Sequence, residues 1–185
     1  MKQENQRVML TKRLIREALV ELLKVKQLRQ ISVRELCEHA GINRSTFYKH
    51  YGAPEQVLEE ILSDQIQDVI DLAENQGKPI SAQDYLERVC EYVWENRNLH
   101  KVLFSSQIGS VETALSRMCA NAMWSVRTFR PDVDDLDPIT DQAAMLFVES
   151  GCYAVFRWWL LEDVNQTPKE IAGIFCRLIG LESGR

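Results

Sequence analysis

The residues Ser32-Val-Arg-Glu-Leu-Cys-Glu-His-Ala-Gly41-Ile-Asn-Arg-Ser-Thr-Phe-Tyr-Lys-His-Tyr51 decide how the rest of this chain is read. Ser32 followed three residues later by Glu35 is a capping box, which starts a helix at Val33. Val33, Leu36, Cys37 and Ala40 recur at helical spacing and form one apolar face. Gly41 supplies the left-handed residue that ends a helix at little cost. Ile42 is apolar and can plug the angle between two helices, and Asn43 is a good N-cap for the second. That second helix opens with the donors of Arg44, Ser45 and Thr46 and is expected to run through Phe47, Tyr48, Lys49 and His50 to Tyr51. Two short helices with a tight turn between them read as a helix-turn-helix whose second helix enters a DNA major groove.

The flanks support this. Ahead of the motif, Thr11 to Lys26 keeps an inward stripe of Thr11, Ile15, Ala18 or Leu19, and Leu22, with Lys12, Arg13 and Arg16 outside. Residues 1–6 are polar and expected to fray. Gln27 to Ile31 connects the two helices without a glycine. Behind the motif Gly52-Ala53-Pro54 breaks the chain, and Pro54 suits the first turn of a fourth helix running to about Asn75.

The run Ala40-Gly-Ile-Asn-Arg-Ser-Thr-Phe-Tyr-Lys-His-Tyr51, with these flanks, resembles the N-terminal DNA-binding domain of the TetR family of one-component transcriptional regulators over roughly residues 8–62. Beyond residue 65 the likeness is one of architecture, and it points towards the branch that includes dihydroxyacetone-kinase regulators. The resemblance implies that the first turn of helix 3 faces base edges. Arg44 would bond guanine bidentately, Thr46 would meet a thymine methyl or a phosphate, and Ser45 a base or a phosphate. Tyr48, Lys49 and His50 would grip the backbone, and Ser32 would offer its hydroxyl to a phosphate at the start of helix 2. Phe47 reads as core. Many relatives carry a lysine near the start of helix 4 where this chain has Pro54 and Glu55, which removes one phosphate contact.

Charge agrees with the motif. The 185 residues carry a net charge of −5, but residues 1–51 hold 11 Lys and Arg against 5 Asp and Glu, while the other 134 hold 11 against 22. A basic head on an acidic body suits a DNA reader with a separate regulatory domain. The cysteines at 37, 90, 119, 152 and 176 are scattered without a Cys-x-x-Cys pair and read as small core residues of a reducing cytosol. The polar, charged N-terminus does not read as a signal peptide. Ala143 to Leu161 is long and apolar, yet Glu149 and Arg157 would each cost ~2.5–3.5 kcal/mol at a bilayer centre, so it reads as a buried helix rather than a membrane span. A cytoplasmic protein is expected.

The second half reads as helices throughout. Ser81 or Asp84 caps one that continues to about Asn96, and others cover Asn98 to Ser105 and Ser110 to about Phe129. Arg130 to Pro138 is an acidic loop. Helices over Ile139 to about Glu162 and, capped by Thr167, to about Leu181 complete the chain. The expected fold is all-α: a three-helix helix-turn-helix domain over 1–52 and a helical ligand-binding and dimerisation domain over 53–185.

One head reads few base pairs, so a homodimer on a palindromic operator is expected. The last two helices are expected to form the interface with those of a partner. The penultimate one is apolar nearly all round, its Ser150, Gly151 and Ala154 are small and would let a partner helix come close, and Trp158 belongs to the same face. The other helices are expected to enclose a pocket for a small-molecule effector, lined by Trp94, Phe104, Met123, Trp124, Tyr153 and Trp158, with Arg127 as an anion anchor. Tyr92 and Met118 belong to the same apolar set. With only His39, His50 and His100, the chain lacks metal-ligand spacing, a nucleophile elbow, a phosphate loop and paired catalytic carboxylates. No enzyme, metal or cofactor is expected. The function read from these residues is a repressor released by a ligand. The rival reading is a DNA-bound adaptor or coactivator whose acidic C-terminal domain binds a protein and senses no small molecule.

Overall fold

A computed structural model describes residues 2–74, 81–106, 108–109, 111–118, 137–162 and 164–179. Among these there is no strand, as the periodicity predicts. The helices are α1 (Lys2–Leu23), α2 (Val33–Ala40), α3 (Arg44–Tyr48), α4 (Pro54–Glu74), α5 (Ala82–Glu95), α6 (Arg97–Ser105), α7 (over 111–118), α8 (Pro138–Leu161) and α9 (Pro168–Leu178). The chain forms two compact units, and the division falls inside α4. One unit comprises the chain up to Asp64 with Ser106 and Ile108, and the other holds the remaining described residues.

In the first unit α1 starts nine residues before the expected Thr11. Residues 2–10 contain neither Gly nor Pro and are mostly strong helix formers, so nothing in them stops the helix. The Thr11 hydroxyl folds back onto the Arg7 carbonyl at 2.8 Å. Ile15, Ala18, Leu19 and Leu22 are buried, the predicted stripe. The helix closes at Leu23 rather than Lys26, because Lys24 and Val25 bond three residues back, to Glu21 and Leu22. The glycine-free connection is a short 3₁₀ turn, Leu28–Gln30, in which the Gln27 N–H donates to Gln30 Oε1 at 3.1 Å.

Two of the three cations placed outside on α1 do not stand free. Lys12 pairs with Glu60 at 3.0 Å and Arg16 with Asp64 at 2.6 Å, so both carboxylates come from α4. Arg13 is exposed, 3.4 Å from Glu17 one turn on. Lys12 also lies over the buried Tyr51 ring, 5.5 Å from its centroid. Burial, and then the neighbouring Glu60, push the Tyr51 phenol well above its ordinary range. Burial works against ionisation of Glu60, but Tyr51, Lys12 and Arg16 outweigh it and hold that carboxyl below the usual range.

The second unit packs α5 against α9 and α6 against α8. Three of its helices start on side-chain caps. Ser81, Asp137 and Thr167 each accept from backbone N–H groups of the following turn, and Thr167 with Glu170 forms a complete capping box. Phe156 and Phe175 meet at 4.9 Å between centroids. Trp159 is buried, stacks on Trp94 at 5.2 Å and donates its indole N–H to the Gln166 carbonyl at 2.9 Å. Cys90, Cys152 and Cys176 are buried free thiols, and burial pushes Cys152 up to about 12. They remain protonated and act as small apolar side chains. Cys119 lies outside the described residues.

His100 is fully buried in this unit. Its Nδ1 lies 3.1 Å from the Val93 carbonyl, which only accepts, so Nδ1 carries the proton and Nε2 the lone pair. Nε2 has no hydrogen-bond partner among the described residues. Burial lowers the imidazole to about 4, against a smaller opposing effect of the Val93 bond. Below about pH 6.5 the unfolded chain therefore takes up a proton that the folded chain refuses until about pH 4. Stability is expected to be full above pH 6.5 and to fall by about 3 kcal/mol as pH drops through that window. Urea unfolding of wild type and His100→Gln between pH 5 and 6.5 checks this: the variant should lose most of the slope, and equal slopes would contradict it.

Candidate nucleic-acid interface

The sequence around Gly41 builds the motif one bond at a time. Ser32 Oγ accepts from the Glu35 N–H at 3.2 Å and starts α2. The Glu35 carboxylate pairs with Lys26 rather than returning to Ser32, so only half of the predicted box forms. Gly41 sits at φ 66°, the left-handed conformation that L side chains adopt at a cost. There its N–H bonds the Glu38 carbonyl at 3.4 Å and the Ile42 N–H bonds Cys37 at 3.0 Å, the pair that closes a Schellman end. Asn43 then caps α3, its Oδ1 accepting from the Thr46 N–H at 2.7 Å.

Helix α3 is shorter than expected. It ends at Tyr48 instead of Tyr51, because Lys49 and His50 bond three residues back, to Thr46 and Phe47. The tightened turn prepares the break at Gly52 and Pro54. Phe47 is completely buried and touches Tyr48 and Tyr51 edge-on or tilted, with centroids 5.7 and 5.8 Å apart. With Phe47 inside, Arg44, Ser45, Tyr48 and Lys49 are exposed. Arg44 with Tyr48, and Ser45 with Lys49, are four apart and share one outer face. Thr46 and His50 are half-buried, and His50 lies in the turn after α3, its ring 6.4 Å from that of Tyr51. Ser32 is exposed. Its hydroxyl oxygen already accepts from Glu35, which leaves its proton for an outside acceptor such as a phosphate. At the start of α4 Pro54 is buried and Glu55 exposed, so no cation stands in that first turn.

The residues expected to line an effector pocket divide. Phe104 and Tyr153 meet, with ring centroids 5.2 Å apart. Trp94 belongs to the separate stack with Trp159, and the Arg97 guanidinium lies 5.1 Å from its ring. Trp158 is 40% exposed, on the opposite side of α8 from the buried Cys152, Phe156, Trp159 and Leu160. Adjacent residues on a helix diverge by about 100°, so Trp159 takes the inner place and Trp158 points away from it. Met123, Trp124 and Arg127 lie outside the described residues. The polar part of this region escaped the sequence reading. The Tyr92 hydroxyl is 2.8 Å from Gln65 Oε1 and 2.7 Å from Asp68 Oδ2, and its ring lies 5.8 Å from that of His100. The spacing of His100 and Phe104, four apart, was the available signal.

The outer side of α8 carries a second apolar face. Ile139, Leu146, Phe147 and Trp158 are exposed, Ile139 and Phe147 to 80% and 82%. Ala143, Ser150, Gly151 and Ala154 are exposed between them. A β-carbon built on Gly151 would meet nothing within 4 Å in its own chain.

A capped helix-turn-helix with an exposed outer face, carried on a chain with a second helical unit, is the build of a DNA-binding transcriptional regulator. The chain belongs to the TetR family of bacterial regulatory proteins. The family's N-terminal model, described as bacterial regulatory proteins of the tetR family, matches residues 15–61, and one described as a transcriptional regulator C-terminal region matches residues 80–180. This makes the chain a regulator rather than an enzyme. A TetR transcriptional regulator from Streptococcus agalactiae has a similar structure, with a TM-score of 0.74 and 20% identity over 95% of this chain and 97% of its own. The dihydroxyacetone kinase operon activator DhaS is similar at a TM-score of 0.65, with 18% identity over 93% and 95% of the two chains. The regulator FadR from Bacillus subtilis, in complex with stearoyl-CoA, gives 0.64 with 14% identity over 90% and 96%. A comparison with curated protein sequences found no match. Among the described residues no helix is long and apolar enough to cross a membrane.

The rotation of α3 makes a prediction about stability. Phe47→Ala should cost about 3–5 kcal/mol, the loss of a fully buried aromatic ring, whereas Tyr48→Ala should stay near 0.5 kcal/mol. Urea unfolding of the two variants checks this, and the reverse order would mean that Tyr48 is the core residue.

Proposed function

We propose that this protein is a homodimeric repressor that reads a palindromic operator through α3 and leaves it when a small molecule binds its C-terminal domain. The outer face of α3 carries the reading: Arg44, Ser45, Tyr48 and Lys49 are exposed while Asn43 and Phe47 hold the helix from below. Arg44 supplies the guanidinium fork that suits guanine O6 and N7, and Thr46 flanks it. Tyr48, Lys49, His50 and Ser32 position the backbone of the duplex. In this reading the DNA-binding domain ends near residue 52, and α4, inside which the two compact units divide after Asp64, is the mechanical link.

Dimerisation rests on the outer face of α8. Its stripe of Ile139, Phe147 and Trp158 is apolar where a monomer gains nothing from exposing it, and Ser150, Gly151 and Ala154 leave room for a partner backbone. A second copy of the same face is the natural occupant, because a two-fold axis repeats the head and produces the palindrome. The effector reading is supported by the buried Nε2 of His100, beside the Tyr92 ring. A buried acceptor without a described partner is uncommon, and a hydrogen-bonding ligand would satisfy it. The stearoyl-CoA held by the similar FadR structure makes that compound a first probe. Ligand binding would act by population shift, favouring a head spacing that no longer fits the operator.

Selection of genomic fragments by the purified protein at moderate salt should enrich an inverted repeat. On it, Arg44→Ala should lose sequence preference, and Tyr48→Phe should weaken binding evenly across sequences. No enrichment by a well-folded protein would sink the regulator reading. Analytical ultracentrifugation at micromolar concentration should show a dimer, and Gly151→Arg, which fills the gap without touching its own chain, should give a helical monomer that no longer binds the repeat. A monomeric wild type would sink the dimer. A partner protein that co-purifies, with no small molecule shifting the melting temperature or releasing DNA, would favour the adaptor instead.

A further inference from the structure

Three donors converge on one oxygen at the start of α3. Asn43 Oδ1 lies 2.7 Å from the Thr46 N–H, 2.7 Å from Ser45 Oγ and 2.8 Å from Thr46 Oγ1. The backbone N–H can only donate, so the amide atom facing it is the carbonyl oxygen and not the NH₂. A carbonyl oxygen can only accept. A hydroxyl that bonds it does so by giving its proton, and a hydroxyl has just one proton to give. What Ser45 turns outward is a pair of lone pairs.

Ser45 is also placed to use them. It is exposed, whereas Thr46 is half-buried. Two residues before Phe47 it stands about 160° round the helix from the buried ring, at the outermost point of α3. On the major-groove edges of DNA only two groups donate, the adenine N6 and cytosine N4 amino groups. Guanine O6 and N7, thymine O4 and the phosphate oxygens all accept and would face the Ser45 oxygen with like partial charge. A phosphate contact would first require the bond to Asn43 to break.

We propose that Ser45 is a specificity-determining residue that accepts a hydrogen bond from the exocyclic amino group of an adenine or cytosine, with Asn43 as the positioning residue that holds it in the accepting state. Arg44 next to it presents only donors, so adjacent residues of α3 read base edges of opposite polarity. The assignment rests on the operator-reading function proposed above and goes further, replacing a choice between base and phosphate by one chemical class of base edge.

The test uses the full-length protein and the operator it selects. Each adenine of a half-site is replaced in turn by purine, which lacks the 6-amino group, and each cytosine by 2-pyrimidinone, which lacks the 4-amino group. Affinity is measured at constant salt for wild type and Ser45→Ala. One position per half-site should cost the wild type roughly three- to tenfold on losing its amino group and cost Ser45→Ala nothing, as expected for one hydrogen bond. Whether the purine or the pyrimidinone series responds tells adenine from cytosine. Asn43→Asp, which keeps an accepting cap, should retain the preference at that position whatever its overall affinity. Asn43→Ala frees the hydroxyl proton and should tolerate guanine or thymine there. A Ser45→Ala loss that is equal on every substituted operator would mean a phosphate contact and overturn the proposal, as would a Ser45→Ala protein that binds like wild type. An operator with no such coupled position sinks this inference alone. Failure to select any operator removes the reading function, and the inference falls with it.

Discussion

The exposed face of α3 depends on how one five-residue helix is held. An isolated helix as short as α3 is not stable in water, since nucleation costs more than a single turn returns. Its geometry is imposed from outside, by Phe47 buried beneath it and by the bonds that Asn43 makes at its start. Each depends on the turn before it, where Gly41 takes a positive φ and lets the chain reverse. Beneath Phe47 lies Tyr51, with Lys12 of α1 over its ring and Glu60 of α4 beside it. The exposed Arg44 and Ser45 are thus the last members of a chain of contacts that begins two helices away.

What the sequence discloses about this arrangement follows the range of the interactions. Caps and turns act over three or four residues, so Ser32, Gly41, Asn43, Ser81 and Thr167 announce their helices directly. Burial at helical spacing is equally local, and it placed Phe47 inside and the α1 stripe against the core. Pairings across long separations leave no such trace. Lys12 and Arg16 look like free outer cations until α4 brings Glu60 and Asp64 beside them, 48 residues further on. That Trp159 is buried and Trp158 exposed likewise needed the tertiary packing, because both are apolar and adjacent. In the candidate site the residue types were legible, whereas the direction of the Ser45 and Thr46 hydroxyls was not. That direction follows from the position of one amide oxygen.

The second unit shows the same economy in α8, where one helix has two apolar faces. Cys152, Phe156, Trp159 and Leu160 serve the unit's own core, and Ile139, Phe147 and Trp158 point to the other side. A helix that is apolar all round belongs in an interior, and here one of its apolar faces is exposed. The small residues at its centre would allow backbones, rather than long side chains, to set the distance of approach.

The two ion pairs between α1 and α4 also shape how such a protein would find its site. Each withdraws a cation from the set that could neutralise phosphates, and Glu55 stands where another cation would have helped. A genome presents millions of wrong sites for each right one, and attraction to the backbone is shared by all of them. Each cation so withdrawn would shorten the dwell on any random stretch and shift the occupancy of the correct one towards base edges and away from charge. Such a regulator gives up tight binding everywhere in exchange for a larger contrast between one sequence and the rest.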